Sequence, residues 1–276
     1  MNRKEFIRLS ASAALLLANG KIIRANEITA EALRARTLFR FAVASDGHYG
    51  EKGTDYENHF ANLLSAINTE HRNKPFQFAV VNGDIVHDDK TFYPQAKAAL
   101  DELDCRYYVS QGNHDHVTAE EWESIWHMPV NLDFTVKKCA FLVATTSNVK
   151  GEYLCPDINW LTSKMDEHRN KEIFIFIHIN PGKLTKHAVD CPALFELLKK
   201  HSNVRAIFNG HDHDEDGIKM RDDVPFVFDA HFGGSWGTAY RGYRVVEVKN
   251  DGSVVTFVKT PLEEINRAEV GRREKR

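Results

Sequence analysis

Short apolar runs alternate with polar clusters along this chain, and the runs carry two periods. Residues 38–44, 76–81, 106–109, 172–177 and 204–208 are nearly continuous apolar stretches of strand length, which predicts strands buried on both faces. Between the first three lie segments of helical spacing. Phe60, Leu63, Leu64 and Ile67 mark one helix over 59–71, and 94–103 forms a second. The order strand, helix, strand, helix, strand argues for an α/β protein with a parallel sheet. Further helices are expected at 120–128, which carries Trp122 and Trp126, at 157–168 with Asp157 as a possible N-cap, and at 193–200. The stretch 134–146 alternates about Lys137-Lys138 and reads as a hairpin. From Val224 onward the pattern is strand only, at 224–230, 243–249 and 254–259, with Asn250-Asp251-Gly252 as a hairpin turn. No repeat or linker interrupts 36–262, which reads as one domain, and the charged residues 263–276 read as a helical or frayed tail.

Composition changes this picture little. With 276 residues, 42% hydrophobic and 27% charged, the chain suits a soluble globular protein with ample core. A net charge of -3 gives no basic field for a nucleic acid polymer or anionic lipid. The 14 histidines are the one compositional hint of metal or acid–base chemistry.

The first residues differ in kind. A basic segment over 1–8 precedes an apolar run over 9–18 that is too short to span a bilayer, and small residues follow. Residues 1–25 therefore read as a cleavable export signal, with the mature protein in the bacterial periplasm and no stable membrane insertion. Arg3-Lys4-Glu5-Phe6-Ile7-Arg8 resembles a twin-arginine signal with Lys in the second arginine position, so Sec and Tat export both stay open. None of the four cysteines forms a C-x-x-C pair, which disfavours a zinc knuckle or thioredoxin-type site. Cys155 and Cys191 each precede a proline in a loop and could pair in an exported protein; Cys105 and Cys139 read as buried thiols.

Chemistry concentrates where the strands stop. Five strand ends share one pattern: Asp46-Gly47-His48, Gly83-Asp84, Gly112-Asn113-His114-Asp115, His178, and Gly210-His211-Asp212-His213. Open α/β sheets place ligands at the carboxyl ends of their strands, so these groups converge if the strands are neighbours. Carboxylate, amide oxygen and imidazole together suit Mn, Fe or Zn. The donors outnumber what one tetrahedral ion uses, so two metals sharing a ligand is the economical reading. Asp212 faces away from its neighbours in an extended segment and is not expected to ligate. Asp115 could orient His114 or merely cap its turn. His87 and His231 follow motif-bearing segments and could touch substrate. Trp236, Tyr240, Trp122 and Trp126 could shape an aromatic pocket or simply pack.

The ordered set Asp-x-His, Gly-Asp, Gly-Asn-His-Asp, His and Gly-His-x-His resembles the calcineurin-like metallophosphoesterase superfamily, and every block is present. The resemblance implies two packed mixed β-sheets flanked by helices, a four-layer α-β-β-α sandwich. It implies that Asp46, His48, Asp84 and His213 hold a first metal ion, and Asp84, Asn113, His178 and His211 a second, with Asp84 bridging. His114 matches the family's unligated histidine near the leaving group. The implied reaction is hydrolysis of a small phosphoester by hydroxide formed between two ions, which also neutralise the phosphate oxygens. Serine/threonine phosphatases of the superfamily carry Gly-Asp-x-x-Asp-Arg-Gly, whereas this chain has Gly83-Asp84-Ile85-Val86-His87-Asp88-Asp89. Without that arginine a phosphoprotein substrate is disfavoured. The shorter pattern is more similar to the class III cyclic-nucleotide and glycerophosphodiester branch, with a phosphodiesterase expected first. A phosphomonoesterase and a non-catalytic metal-binding scaffold are the alternatives.

Overall fold

A computed structural model describes residues 36–271 and 273, together with the backbone of two short paired strands, β1 (Leu15–Ala18) and β2 (Lys21–Arg24). Most of the expected export signal lies outside the described residues.

The first half forms β3 (Thr37–Ala44), α1 (Tyr56–Asn73), β4 (Phe78–Asn82), α2 (Tyr93–Leu100), β5 (Tyr107–Ser110) and α3 (Ala119–Trp126). Strands β3, β4 and β5 pair in parallel, with α1 and α2 as crossovers. A hairpin of β6 (Leu132–Val136) and β7 (Cys139–Ala144) then leads to α4 (Ile158–Glu167), β8 (Glu172–Ile177), α5 (Pro192–Lys200) and β9 (Val204–Asn209). Asp157 caps α4 by accepting from the Trp160 amide at 3.0 Å. The remainder is β10 (Ile218–Arg221), β11 (Val224–Phe228), β12 (Tyr243–Lys249), β13 (Val254–Lys259) and β14 (Glu264–Val270).

These strands make two mixed six-stranded sheets, ordered β14-β13-β12-β3-β4-β5 and β10-β11-β9-β8-β7-β6. Between the sheets lies an aromatic core. Phe41 stacks on Phe78 at 5.0 Å and meets the edges of Phe141, Phe174, Phe176 and Phe208 at 5.5 to 6.1 Å. Burying each such ring contributes roughly 1.5–3 kcal/mol. Outside, α1, α2 and α3 cover the first sheet and α4 and α5 the second, each over its own apolar cluster. This is the four-layer sandwich that the resemblance implied.

Two elements depart from the sequence reading. The segment read as a charged tail forms β14, an edge strand paired with β13. It exposes most of its residues, so charge is tolerated there and no apolar pattern announces it. The short edge strand β10 escapes notice for the same reason. The expected thiols Cys105 and Cys139 are buried and free, and Cys155 is bonded to Cys191. Among the described residues no helix is long and apolar enough to cross a membrane.

Candidate metal centre

The parallel strands β3, β4 and β5 of one sheet and β8 and β9 of the other deliver the polar motifs to one rim. Two adjoining groups result. Ligand atoms of Asp46, His48 and His213 lie within 4.8 Å of one another, and so do those of Asp84, His178 and His211. Asp84 reaches toward both: its Oδ2 is 3.0 Å from His178 Nε2 and 3.8 Å from His48 Nε2. His48 Nε2 faces His213 Nε2 at 3.1 Å, and Asp46 Oδ1 lies 3.2 Å from His213 Nε2. Asn113 is also buried at the rim.

The outer nitrogens of these rings are already occupied. His178 Nδ1 donates to the Asn82 carbonyl at 2.7 Å, and His213 Nδ1 lies 3.2 Å from the Trp236 carbonyl. His48 Nδ1 is 3.0 Å from His87 Nδ1. The two carbonyls keep a proton on Nδ1 of His178 and His213, so the Nε2 of each is the atom that faces inward and that a metal would take once it is unprotonated. Asn113 Oδ1 and His211 Nε2 are buried and have no hydrogen-bond partner, while His178 Nε2 faces only the Asp84 and Asp46 carboxylates. Buried polar atoms without partners are costly, so this donor set fits a pair of cations.

Backbone strain gathers at the same place. Asp46, His48, Asp84 and His211 all have positive φ, between 47° and 68°, a region that costs L-residues on the order of 1 kcal/mol or more each. Gly112 is required by close approach, since a Cβ there would sit 2.2 Å from Asp84 Oδ1.

Proton affinities follow from crowding. Burial would raise the Asp84 and Asp46 carboxyls, but the neighbouring imidazoles outweigh it and hold both below their ordinary range. Burial would lower His178, yet Asp84 and Asp46 push it up to about 10. His213 is raised against burial, chiefly by Asp46. His48 and His211, where burial wins, fall to about 3 and about 4. The metal-free site therefore pairs two imidazoles whose proton affinity is raised, His178 and His213, with two in which it is lowered, His48 and His211.

His114 stands beside these groups, its ring 5.0 Å from that of His48. Its partner is not the neighbouring Asp115. His114 Nδ1 lies 2.6 Å from Asp88 Oδ1, while Asp115 is turned into the protein. Asp115 Oδ1 accepts the Ile85 and Val86 amides at 3.0 and 3.1 Å, and its Oδ2 accepts the Gly112 amide at 2.8 Å. This corrects the catalytic expectation for Asp115: both oxygens pin the backbone that carries Asp84 and Asn113. The Asp88 contact was missed, although that residue directly follows the position where related phosphatases carry their orienting Asp.

Other expectations sort themselves. His87 stacks on His114 at 4.9 Å and 11°. His231 is buried, with Nδ1 2.7 Å from the Gly233 carbonyl and Nε2 3.1 Å from Thr238 Oγ1, so it is closed to substrate. Asp212 is buried, accepts from Thr185 Oγ1 at 2.8 Å and lies outside both groups. Trp122 and Trp126 pack against Tyr93 in the core, and the Tyr240 hydroxyl binds Asp216. Only Trp236 of that aromatic set reaches the centre. A further missed residue is Asn82, whose carbonyl holds His178 and whose amide donates to buried Asp229 at 3.0 Å.

A two-sheet sandwich that gathers carboxylates and imidazoles at its strand ends is built for metal-dependent hydrolysis. Residues 39–215 match the model of the calcineurin-like phosphoesterases, and the chain belongs to that family of phosphoester hydrolases. The family implies a dimetal centre. Among solved structures the chain is similar to a dimetal phosphatase from Danio rerio, with 14% identity and a TM-score of 0.71 over 86% of this chain and 100% of that one. It is also similar to an NAD nucleotidase from Haemophilus influenzae, with 12% identity and a TM-score of 0.51 over 82% of this chain but 49% of that longer protein. At such identities the likeness is one of fold. Among curated proteins no match is found.

Proposed function

We propose that this chain hydrolyses small phosphoesters, diesters before monoesters, in the manner of the cyclic-nucleotide and glycerophosphodiester branch. The observation that carries the reading is the pair of candidate ligand groups that Asp84 adjoins, with Asn113 Oδ1 and His211 Nε2 buried beside them and without a hydrogen-bond partner. Asp46, His48 and His213 would hold one ion, and Asn113, His178 and His211 the other, with Asp84 shared. When bound, two such cations supply an activated water and positive charge for the phosphate oxygens. The chain's own residues do the rest. His114 donates a proton from Nε2 to the departing alkoxide, worth roughly 10²–10⁴-fold in rate. Asp88 holds His114 by Nδ1 at 2.6 Å and keeps that ring oriented. Asp115 fixes the two turns against each other through three backbone amides.

The diester preference rests on charge. Asp88 occupies the position where serine/threonine phosphatases of the superfamily carry arginine, so a carboxylate stands where a dianionic monoester needs a cation. A diester carries one negative charge fewer and meets less repulsion. Export is inferred too, from the basic and apolar segments over 1–18 and from the Cys155–Cys191 disulfide, which persists in an oxidising compartment.

Turnover of bis-p-nitrophenyl phosphate and p-nitrophenyl phosphate by protein loaded with Mn, Fe or Zn tests the proposal. A higher kcat/KM for the diester is expected. A higher value for the monoester reverses the preference, and stoichiometric metal with no turnover of either ester leaves only a binding scaffold.

A further inference from the structure

Large hydrophobic side chains are exposed at only six described positions: Val149, Tyr153, Leu154, Met220, Trp236 and Leu262. Four of these belong to two loops that touch the metal centre. Trp236 lays one face on His213, at 4.3 Å and 11°, and lies 4.8 Å from His48, yet 42% of it remains exposed. Tyr153 meets His211 edge-on at 4.9 Å and is 43% exposed. Each ligand group therefore has one exposed ring beside it.

The Tyr153 loop is fixed in place. Ser147 Oγ donates to the Gly112 carbonyl at 2.8 Å, His116 Nδ1 donates to the Val149 carbonyl at 3.0 Å, and the Leu154 amide donates to the Thr146 carbonyl at 2.7 Å. A Cβ on Gly151 would meet the Asn113 carbonyl at 2.7 Å, and the next residue after Leu154 is the disulfide cysteine Cys155. Exposed rings set directly against the candidate ligands, one of them on a tethered loop, are unlike scattered surface apolar residues.

We infer that the phosphoester carries a flat aromatic group, a nucleobase or an aryl ring, which lies against Trp236 or Tyr153 while its phosphate sits at the metal groups. This deepens the phosphoester reading and rests on it. Stacking needs only a π-face, so the two rings select for planarity and tolerate many bases.

Phosphonates, whose carbon–phosphorus bond resists hydrolysis, separate binding from turnover. Calorimetry on the metal-loaded full chain should show phenylphosphonate binding about ten-fold more tightly than cyclohexylphosphonate or methylphosphonate, the scale of one stacked ring. The methylenephosphonate analogue of AMP serves as the nucleobase arm, and whichever of it and phenylphosphonate binds better names the source of the ring. Trp236→Ala and Tyr153→Ala should shrink the phenyl-over-cyclohexyl ratio severalfold, with Trp236→Phe restoring it. Elemental analysis shows whether each variant keeps its metals, and a Trp236 variant that loses them leaves Tyr153→Ala to decide. Equal affinities for phenyl- and cyclohexylphosphonate in the native protein, or a ratio that survives loss of both rings, overturns the inference. If no phosphonate binds at all, the inference fails, while turnover of the two nitrophenyl esters decides the phosphoester reading separately.

Discussion

His114 Nδ1 is held by Asp88 Oδ1 at 2.6 Å, across the gap between the loop after β5 and the loop after β4. Asp88 is exposed, and its hydrogen bond to His114 outweighs what desolvation it suffers to keep its carboxyl below the ordinary range. A carboxylate that stays ionised keeps a proton on Nδ1, so Nε2 has a proton to give toward the site only when the ring is an imidazolium. Asp88 also lies 3.2 Å from His116 Nε2, so one carboxylate organises two rings.

Asp88→Asn should therefore damage catalysis selectively. The amide can still accept a hydrogen bond from Nδ1 but carries no charge, so it holds the ring less strongly. With an alkyl leaving group kcat should fall by roughly 10-fold or more, and with p-nitrophenolate, which needs little protonation, by much less. Rates on matched alkyl and nitrophenyl diesters check this. Equal losses would assign the pair to phosphate binding instead of proton transfer.

Gly112→Ala tests how tightly the centre is packed. The new Cβ would lie 2.2 Å from Asp84 Oδ1 and 2.4 Å from the Asp84 backbone nitrogen, and the backbone cannot swing aside as a side-chain tip could. Overpacking of this kind costs typically 1–3 kcal/mol. The variant should lose metal and melt several degrees lower, by elemental analysis and calorimetry. Full loading at native affinity would show that Asp84 is not confined by this turn.

The sandwich and the polar blocks at its rim were legible because each buried strand reads as an apolar run and stops where polar residues begin. Asp46, Asp84, Asn113, His178, His211 and His213 all sit directly after such a stop. Asp88 did not announce itself, because a φ of 60° there turns its side chain in a way that spacing cannot reveal. Trp122 and Trp126 were open to two readings, and the packed one holds: four residues apart on α3, they share the helix face that packs inward, on Tyr93. Strands β10 and β14 were invisible because an edge strand exposed to water carries no apolar code.

Metal uptake should release protons, and the sign follows from the metal-free site. His178, raised to about 10, is an imidazolium at neutral pH and contributes stability that is full below the ordinary histidine value of 6.5 and lost as pH rises through 10. A cation needs its neutral Nε2 and must expel that proton, with His213 contributing in the same sense. His48 and His211, lowered to about 3 and about 4, are already neutral and release none. Calorimetry of Zn binding in buffers of different ionisation enthalpy measures the release. It should shrink, and apparent affinity should grow, as pH climbs from 7 toward 10. A release that grows with pH would place the titrating group on bound water instead.

The Cys155–Cys191 disulfide closes a loop with a sequence separation of 36 and a Cα–Cα distance of 5.6 Å. It ties the end of the Tyr153 loop to the start of α5, so its removal has a global and a local effect. By loop entropy the crosslink stabilises the fold by about 4 kcal/mol at most, less whatever structure the reduced unfolded chain keeps. Replacing both cysteines by alanine should then lower the Tm by on the order of ten degrees. The local effect is separable. His178, His211 and Asp84 are held by β4, β8 and β9, so metal content should stay at the native level. Tyr153 loses one end of its tether, so KM for an aromatic ester should rise more than kcat falls. A double variant that kept its metals and the native KM would show that the hydrogen bonds of Ser147, His116 and Leu154 hold the loop alone.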